Sequence, residues 1–332
     1  MGNILSNEFP VQGRTAVITG GSRGMGLAVG RLLAEKGANV KGAANPQTQR
    51  FHQISADLTL SSESVRVIDE VVAWNSGDAP DIVWCCAGSS HPTLFVDTPV
   101  SEFNAQMDNN YFTSLYMAHA ALTCWLKTSR KAIPASSSSV HTDTSTTQQS
   151  TSVPSRHLIF TASFLALYGF AGYSPYSPSK AALRSLSDSL SQEMNLYAAA
   201  YPNEPSIRVH TVFPATIFTE SYEAENRIKP DLTKLLEEGD GGQTPDVVAK
   251  NSIKALESGQ ELITTDLLTG LVKRSVLGGS VRGGILRALG DWILACVMGI
   301  VMAFVRDDMD RKTRAWGHKF GVSGMKGGDK ED

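Results

Sequence analysis

Four cysteines among 332 residues are too few, and too awkwardly placed, for a disulfide framework: Cys85 and Cys86 are neighbours, while Cys124 and Cys296 stand far apart. No C-x-x-C pair or Cys/His cluster at ligand spacing is present, so the sequence points to reduced thiols and to no metal site. An excess of one charge is also missing. Lys plus Arg number 30 and Asp plus Glu 33, a net of −3. That balance excludes the basic stripe of a general nucleic-acid binder. The first fifteen residues lack the apolar run of a secretory signal. Against these absences, hydrophobic residues make up 42% of the chain and charged residues 19%. A sizeable core is therefore expected, and wholesale disorder is excluded. The length suits two modest domains or one large α/β domain. Met1-Gly2-Asn3-Ile4-Leu5-Ser6 fits the short M-G-x-x-x-S pattern of N-myristoylation, beside the plainer reading of a flexible N-terminus.

Hydrophobic patterning alternates between strand-like and helix-like segments. Thr15 to Thr19 is a short apolar run closed by glycine and reads as a buried strand. A helix follows, with Leu27, Val29, Leu32 and Leu33 on one side and Gly37 at its end. Ala38 to Ala43 is a weak second strand. Val65 to Trp74 predicts a helix, Asp81 to Gly88 a strand running into a turn, and Phe103 to Leu126 one long helix. Residues 128–155 are crowded with Ser, Thr and Gln, which predicts a disordered surface insertion. The alternation resumes with a strand at His157 to Thr161, a helix over about Ser179 to Ala199, and a strand at Ile207 to Phe213. Such a pattern implies a parallel sheet covered on both faces. Glu223 to Gly242 is polar and reads as a mobile stretch. Thr244-Pro245-Asp246 opens a further helix, with Pro at its first position. Ile285 to Val305 is the most apolar window. Arg287 and Asp291 interrupt its start, leaving 14 uninterrupted apolar residues from Trp292 to Val305. That length suits an interfacial, re-entrant or buried helix better than a full span. The basic residues Arg306, Arg311, Lys312 and Arg314 follow, mixed with Asp307, Asp308 and Asp310.

Two local patterns carry chemistry. In Thr19-Gly20-Gly21-Ser22-Arg23-Gly24-Met25-Gly26, glycines stand between a first strand and a first helix. There the backbone can approach a pyrophosphate, and the helix N-terminus offers free N–H groups. Tyr176 and Lys180 stand four apart at a helix start, on one face. An ammonium there is expected to depress the phenol's pKa toward working pH. Ser163 lies just beyond a strand and could bond a substrate carbonyl. His141, His157 and His210 have no partner at ligand spacing, and Met298 and Met302 suit lipid or core contacts.

Together these motifs resemble the short-chain dehydrogenase/reductase family over roughly residues 13–220. The resemblance implies a single Rossmann-type, doubly wound α/β domain with a C-terminal apolar, membrane-associating extension. It implies catalytic roles for Ser163, Tyr176 and Lys180, and a water-holding role for Asn110. By the same likeness Gly20, Ser22, Arg23, Gly24, Gly26, Asp57, Ala87, Gly88, Pro214, Thr216 and Thr219 would contact the dinucleotide, together with Tyr176 and Lys180. Cys85-Cys86 replaces the family's usual asparagine pair and puts the side-chain support of that strand in question. Ala43-Ala44-Asn45 carries neither the Asp that suits a ribose hydroxyl nor an Arg for a 2′-phosphate. Arg23 is the nearby cation, which favours NADPH. Within the family, the glycine turn and the C-terminal plan (Thr244-Pro245-Asp246, Ile263-Thr264-Thr265-Asp266, Trp292) are similar to fungal 3-ketodihydrosphingosine reductases. That likeness implies a long-chain β-keto amine lipid as substrate and the cytosolic face of the endoplasmic reticulum membrane as location. It divides the chain into a catalytic part at 13–220, substrate-side helices at 221–282 and an apolar segment at 283–320. No nucleic-acid partner is implied, and a homo-oligomer is left open. Reductases of other hydrophobic ketones (retinoids, steroids, 3-ketoacyl groups) and a non-catalytic, cofactor-binding scaffold are the alternatives.

Overall fold

The computed structural model describes residues 7–39, 52–131, 154–276, 285–320 and 324–326. The myristoylation pattern around Gly2, the Ala43-Ala44-Asn45 segment and residues 132–153 of the Ser/Thr-rich stretch lie outside them.

Strand β1 (Ala16–Thr19) leads through the glycine turn into α1 (Gly24–Glu35). Gly37 follows that helix at φ +89°, the left-handed conformation that closes a helix and that glycine adopts without a Cβ clash. Beyond Ala38, Asn39 makes a single parallel bridge to Thr15. Next come α2 (Ser61–Trp74), β2 (Ile82–Cys85), α3 (Val100–Met107) and α4 (Thr113–Lys131). The long helix expected over Phe103 to Leu126 is interrupted by a π-turn at Asp108–Phe112, so its two halves are offset by an extra residue. Then β3 (Arg156–Thr161), α5 (Ser177–Ala200) and β4 (Ile207–Phe213) follow.

The polar stretch expected to be mobile is instead two helices, α6 (Glu220–Ile228) and α7 (Asp231–Leu236). Thr219 caps the first by accepting the Tyr222 N–H at 3.1 Å. The second buries Leu232 and Leu236 against Trp316, and that packing outweighs its polar composition. Helix α8 (Pro245–Glu257) starts under a Thr244 cap, and β5 (Leu262–Thr264), α9 (Leu267–Val276) and α10 (Ile285–Phe320) complete the chain.

The five strands form one parallel sheet in the order β1-β2-β3-β4-β5. Side chains alternate between its faces. Ile82, Trp84 and Ile159 pack with Leu33, Val248 and Leu256 of α1 and α8. Val83, Leu158 and Phe160 pack with Val67, Met117 and Leu183 of α2, α4 and α5. Each fully buried large side chain contributes about 1.5–3 kcal/mol. The buried indoles keep their N–H groups bonded, Trp84 to the Thr161 hydroxyl at 3.1 Å and Trp125 to the Pro80 carbonyl at 2.7 Å.

Helix α10 is a continuous rod of 36 residues. Over Leu289–Gly317 it is long and apolar enough to cross a membrane by length and composition. One stripe, including Met298 and Trp316, is buried against the rest of the protein, while Trp292, Ile293, Val297, Ile300 and Phe304 are exposed. Beyond them the charges pair along the helix, Arg306 with Asp310, Arg311 with Asp307 and Lys312 with Asp308.

Candidate active site

Parallel strands all deliver their following loops to one edge of the sheet, and ligands bind there in open α/β folds. A cleft of about 1040 Å³ opens at that edge. It is lined by Gly20, Ser22, Arg23, Gly24, Gly26, Ala87, Gly88, Asn110, Ser163, Tyr176, Lys180, Pro214, Thr216 and Thr219. Residues up to 199 positions apart in the chain are thereby brought onto one cavity. Asp57 does not join them. It is exposed, and its carboxylate accepts the Thr59 N–H at 3.1 Å and hydroxyl at 2.6 Å in the turn before α2.

The glycine turn has no room for side chains. Gly20 (φ +63°) and Gly24 (φ +56°) are left-handed. A Cβ on Gly20 would lie 2.9 Å from the Ala87 backbone, and one on Gly26 would lie 2.4 Å from the Gly20 carbonyl oxygen. The turn thus presses against the end of β2 while exposing the N-terminus of α1 to the cleft. The Thr19 hydroxyl accepts the N–H groups of Cys86 and Ala87, both at 3.0 Å. This replaces the side-chain support that Cys85-Cys86 appeared to forfeit. Cys86 also takes a hydrogen bond from Thr161 at 3.5 Å, and burial pushes its thiol up to about 12.

Asn110 sits in the π-turn and is fully buried. Its amide nitrogen donates to the Ser89 carbonyl at 2.8 Å and the Gln106 carbonyl at 3.0 Å, and its oxygen accepts the Ser89 N–H at 3.2 Å. It therefore pins the loop after β2 to the helix. The extra residue of the π-turn is what aims this side chain, and helical periodicity gives no sign of it. A Cβ on Gly88 would meet the Asn110 oxygen at 2.6 Å and Lys180 Nζ at 3.3 Å, so this glycine keeps both side chains in place.

Ser163, Tyr176 and Lys180 face the cleft together. Ser163 caps a short 3₁₀ turn by accepting the Leu165 N–H at 3.1 Å. Tyr176 stands at the N-cap of α5, and Lys180 one turn later donates to the Thr161 carbonyl at 3.0 Å. The Lys180 nitrogen lies 5.6 Å from the centre of the Tyr176 ring. The electrostatics differ from the sequence expectation. Burial, reinforced by the charge of Glu225, raises the Tyr176 phenol rather than depressing it, with a hydrogen bond from Ser163 opposing. Lys180 is itself pushed down to about 8 by burial. Withdrawal from water dominates because partial burial disfavours a phenolate. The result is a tyrosine that keeps its proton, the form a proton donor needs.

The other end of the cleft is polar and comes from the Tyr173 loop and from α6 and α7, the latter two in the stretch Glu223 to Gly242 expected to be mobile. Tyr173 donates to Glu237 at 2.5 Å, and Lys229 bonds the second oxygen of Glu237 at 2.7 Å. Glu225 also lines this end. The signals available were the Thr219 cap, Pro230, and Leu232, Leu235 and Leu236 at helical spacing.

A glycine cradle at the end of the first strand, facing a tyrosine and a lysine one helical turn apart, defines a class of oxidoreductases that bind dinucleotides. The chain belongs to the short chain dehydrogenase family, whose profile matches residues 14–151 and 154–229. Its relatives narrow the class. It is 45% identical to the 3-ketodihydrosphingosine reductase ksrA of Aspergillus fumigatus, over 96% of this chain and 88% of that protein. It is 37% identical to the 3-ketodihydrosphingosine reductase gsl-3 of Neurospora crassa, over 95% of this chain and 86% of that protein. Among solved structures, a short chain dehydrogenase from Burkholderia cenocepacia in complex with NADP aligns with a TM-score of 0.58 at 19% identity, covering 82% of this chain and 96% of that one. Thermoplasma acidophilum aldohexose dehydrogenase aligns at 0.56 and 18%, covering 83% and 97%. Both are likenesses of fold.

Proposed function

We propose that the protein reduces 3-ketodihydrosphingosine to dihydrosphingosine with NADPH. The observation that carries this is the convergence of Ser163, Tyr176 and Lys180 on one cleft with the glycine cradle, in a chain matched over nearly its whole length by 3-ketodihydrosphingosine reductases. The cradle fits a dinucleotide, since bare Gly20 and Gly26 let the turn pack on the end of β2 and on itself, so that the N-terminus of α1 opens onto the cleft. Gly20, Ser22, Gly24 and Gly26 would hold the pyrophosphate. Arg23 would meet the 2′-phosphate, and Ala87, Gly88, Pro214, Thr216 and Thr219 would flank the remainder. Asp57, outside the cleft and bonded to Thr59, contributes only if the adenine end extends to the turn before α2. When bound, NADPH supplies the hydride.

The chain's own residues handle the oxygen. Ser163 bonds the substrate carbonyl oxygen and polarises it. Tyr176, which keeps its proton because burial raises the phenol, gives that oxygen a proton. Lys180, fixed by the Thr161 carbonyl, faces the phenolate left behind and stabilises it until a proton returns. Asn110 keeps the loop after β2 at the correct height and borders the path along which water restores that proton. The assay is NADPH oxidation on a panel holding 3-ketodihydrosphingosine, a steroid ketone, a retinal and a 3-ketoacyl thioester. The reading stands if the amino ketone is turned over with the highest kcat/KM, and falls if another ketone exceeds it.

We read α10 as an anchor that lies in the surface of the endoplasmic reticulum membrane, with the cleft on the cytosolic side. The exposed row Trp292, Ile293, Val297, Ile300 and Phe304 supports this. With its opposite stripe packed on the protein, the helix suits lying flat, apolar face in lipid. The full-length protein should sediment with microsomes and resist high salt. Replacing Ile293, Ile300 and Phe304 together with Glu should move most of it to the soluble fraction. A wild-type chain that is soluble without detergent overturns the anchor.

A further inference from the structure

The polar end of the cleft holds two glutamates in different circumstances. Both oxygens of Glu237 have partners, the Tyr173 hydroxyl and the Lys229 ammonium. Lys229 is itself enclosed, at 1% exposure, and also lies over the rings of Tyr173 and Tyr222 at 5.7 and 5.1 Å. Among the described residues, the carboxylate within ion-pair distance of Lys229 is that of Glu237. Glu225, on α6 four residues before the Lys229 that caps it, has no cation that close among the described residues. It nevertheless lines the same cleft as Tyr176, and its charge raises the phenol. Burial works most strongly against its ionised form and Glu237 adds a little, while Lys229 from further off and the Ser90 hydroxyl oppose them. A carboxylate in that position is held at a cost, which a cation arriving in the cleft would remove.

The substrate of the proposed reaction brings such a cation. Its amine sits on the carbon next to the ketone, so whatever binds the ammonium also sets where the carbonyl lies. We propose that Glu225 is the residue that recognises the substrate ammonium, holding it beside Tyr176 so that the neighbouring carbonyl oxygen meets the phenol and Ser163. Glu237 serves a different purpose: it neutralises Lys229, which would otherwise repel the ammonium from the same space. The charge arrangement thus selects amino ketones over neutral ketones of equal chain length, while the apolar chain adds affinity without discrimination. This inference rests on the reductase reading above and adds to it the group that reads the amine.

The test compares two substrates in the wild type, Glu225→Gln and Glu225→Asp. One is 3-ketodihydrosphingosine; the other is the same long-chain ketone with the amine replaced by hydrogen. The readout is the ratio of their kcat/KM values. Loss of a charged hydrogen bond should lower that ratio by about 10- to 100-fold in Glu225→Gln, mainly through KM for the amino ketone. Glu225→Asp, which keeps the charge, should recover a substantial part of it. NADPH binding, followed by fluorescence, checks that each variant is folded. An unchanged ratio in a folded Glu225→Gln overturns the inference and leaves the reductase reading intact. If Glu225→Gln does not fold, Glu225→Asp decides by the same ratio: a shift of its KM for the amino ketone alone supports the inference, and equal shifts for both substrates overturn it. A wild type that fails to reduce the amino ketone overturns the reductase reading itself, and the inference with it.

Discussion

Arg14, His157 and His210 are buried near the starting ends of the strands, and Asn110 and Lys180 near their finishing ends, where the half-buried Tyr176 lines the cleft. The first group bonds mostly within itself, though His157 Nε2 has no partner among the described residues. Arg14 donates to the carbonyls of Pro10 and Ser155 and pairs with Asp81 at 3.6 Å. His157 and His210 share a hydrogen bond of 3.0 Å, and His210 reaches the Gln260 carbonyl at 2.9 Å. The second group borders an open cavity, its polar ends facing space that a ligand can fill. Burial shifts titration at both ends, pushing His157 down to about 2 and Lys180 down to about 8. A perturbed pKa is therefore no mark of catalysis here. Convergence on a cavity, with a bonding site left for a guest, separates the two ends.

The largest expected effect tests that separation at the cleft. Tyr176→Phe removes one hydroxyl and almost no volume. Turnover of the amino ketone should fall by about 100-fold or more, the usual contribution of a positioned acid. The melting temperature and NADPH affinity should stay near the wild-type values. Near-normal turnover would remove Tyr176 from its role and with it the functional meaning of the open end.

A smaller effect should appear at the mouth of the cradle. Arg23 flanks the turn and lines the cleft, at the start of α1. Arg23→Ala should weaken NADPH relative to NADH by roughly 10- to 150-fold, corresponding to about 1.5–3 kcal/mol for a charged hydrogen bond. Parallel loss for both cofactors in a binding titration would assign the 2′-phosphate to another residue.

The same comparison explains what could be read from the sequence. Features set by neighbours along the chain were legible. The glycine turn, the four-residue spacing of Tyr176 and Lys180, the Thr244 cap and the apolar run of β4 each depend on a few consecutive residues. Features set across the sheet or by an inserted residue were not. His157 and His210 are 53 positions apart and meet only because β3 and β4 pair in parallel register, which no spacing along the chain reveals. The π-turn that aims Asn110 leaves the helical composition unchanged. Glu225 and Glu237 lie in a polar stretch whose second helix, α7, packs its leucines on Trp316, some eighty residues later.

The smallest effect belongs to the closed end, and it should appear in stability alone. His157 is buried beside His210, with Arg14 and Arg208 adding positive charge, so burial and these neighbours keep it neutral in the folded state. Unfolded, it would titrate near 6.5. Below that pH the unfolded chain takes up a proton that the folded chain refuses, so stability falls as pH drops, by about 1.4 kcal/mol per unit for this one group. Its contribution is complete above 6.5 and declines steadily toward the folded value near 2. Urea unfolding at pH 7.0, 6.0 and 5.5 should show a steeper decline in the wild type than in His157→Asn, whose amide can still bond His210 but cannot titrate. Turnover at pH 7 should be the same in both, because no atom of His157 borders the cleft. Equal slopes would show that the histidine pair accepts a proton when folded, and the closed end would then be less closed than its hydrogen bonds indicate.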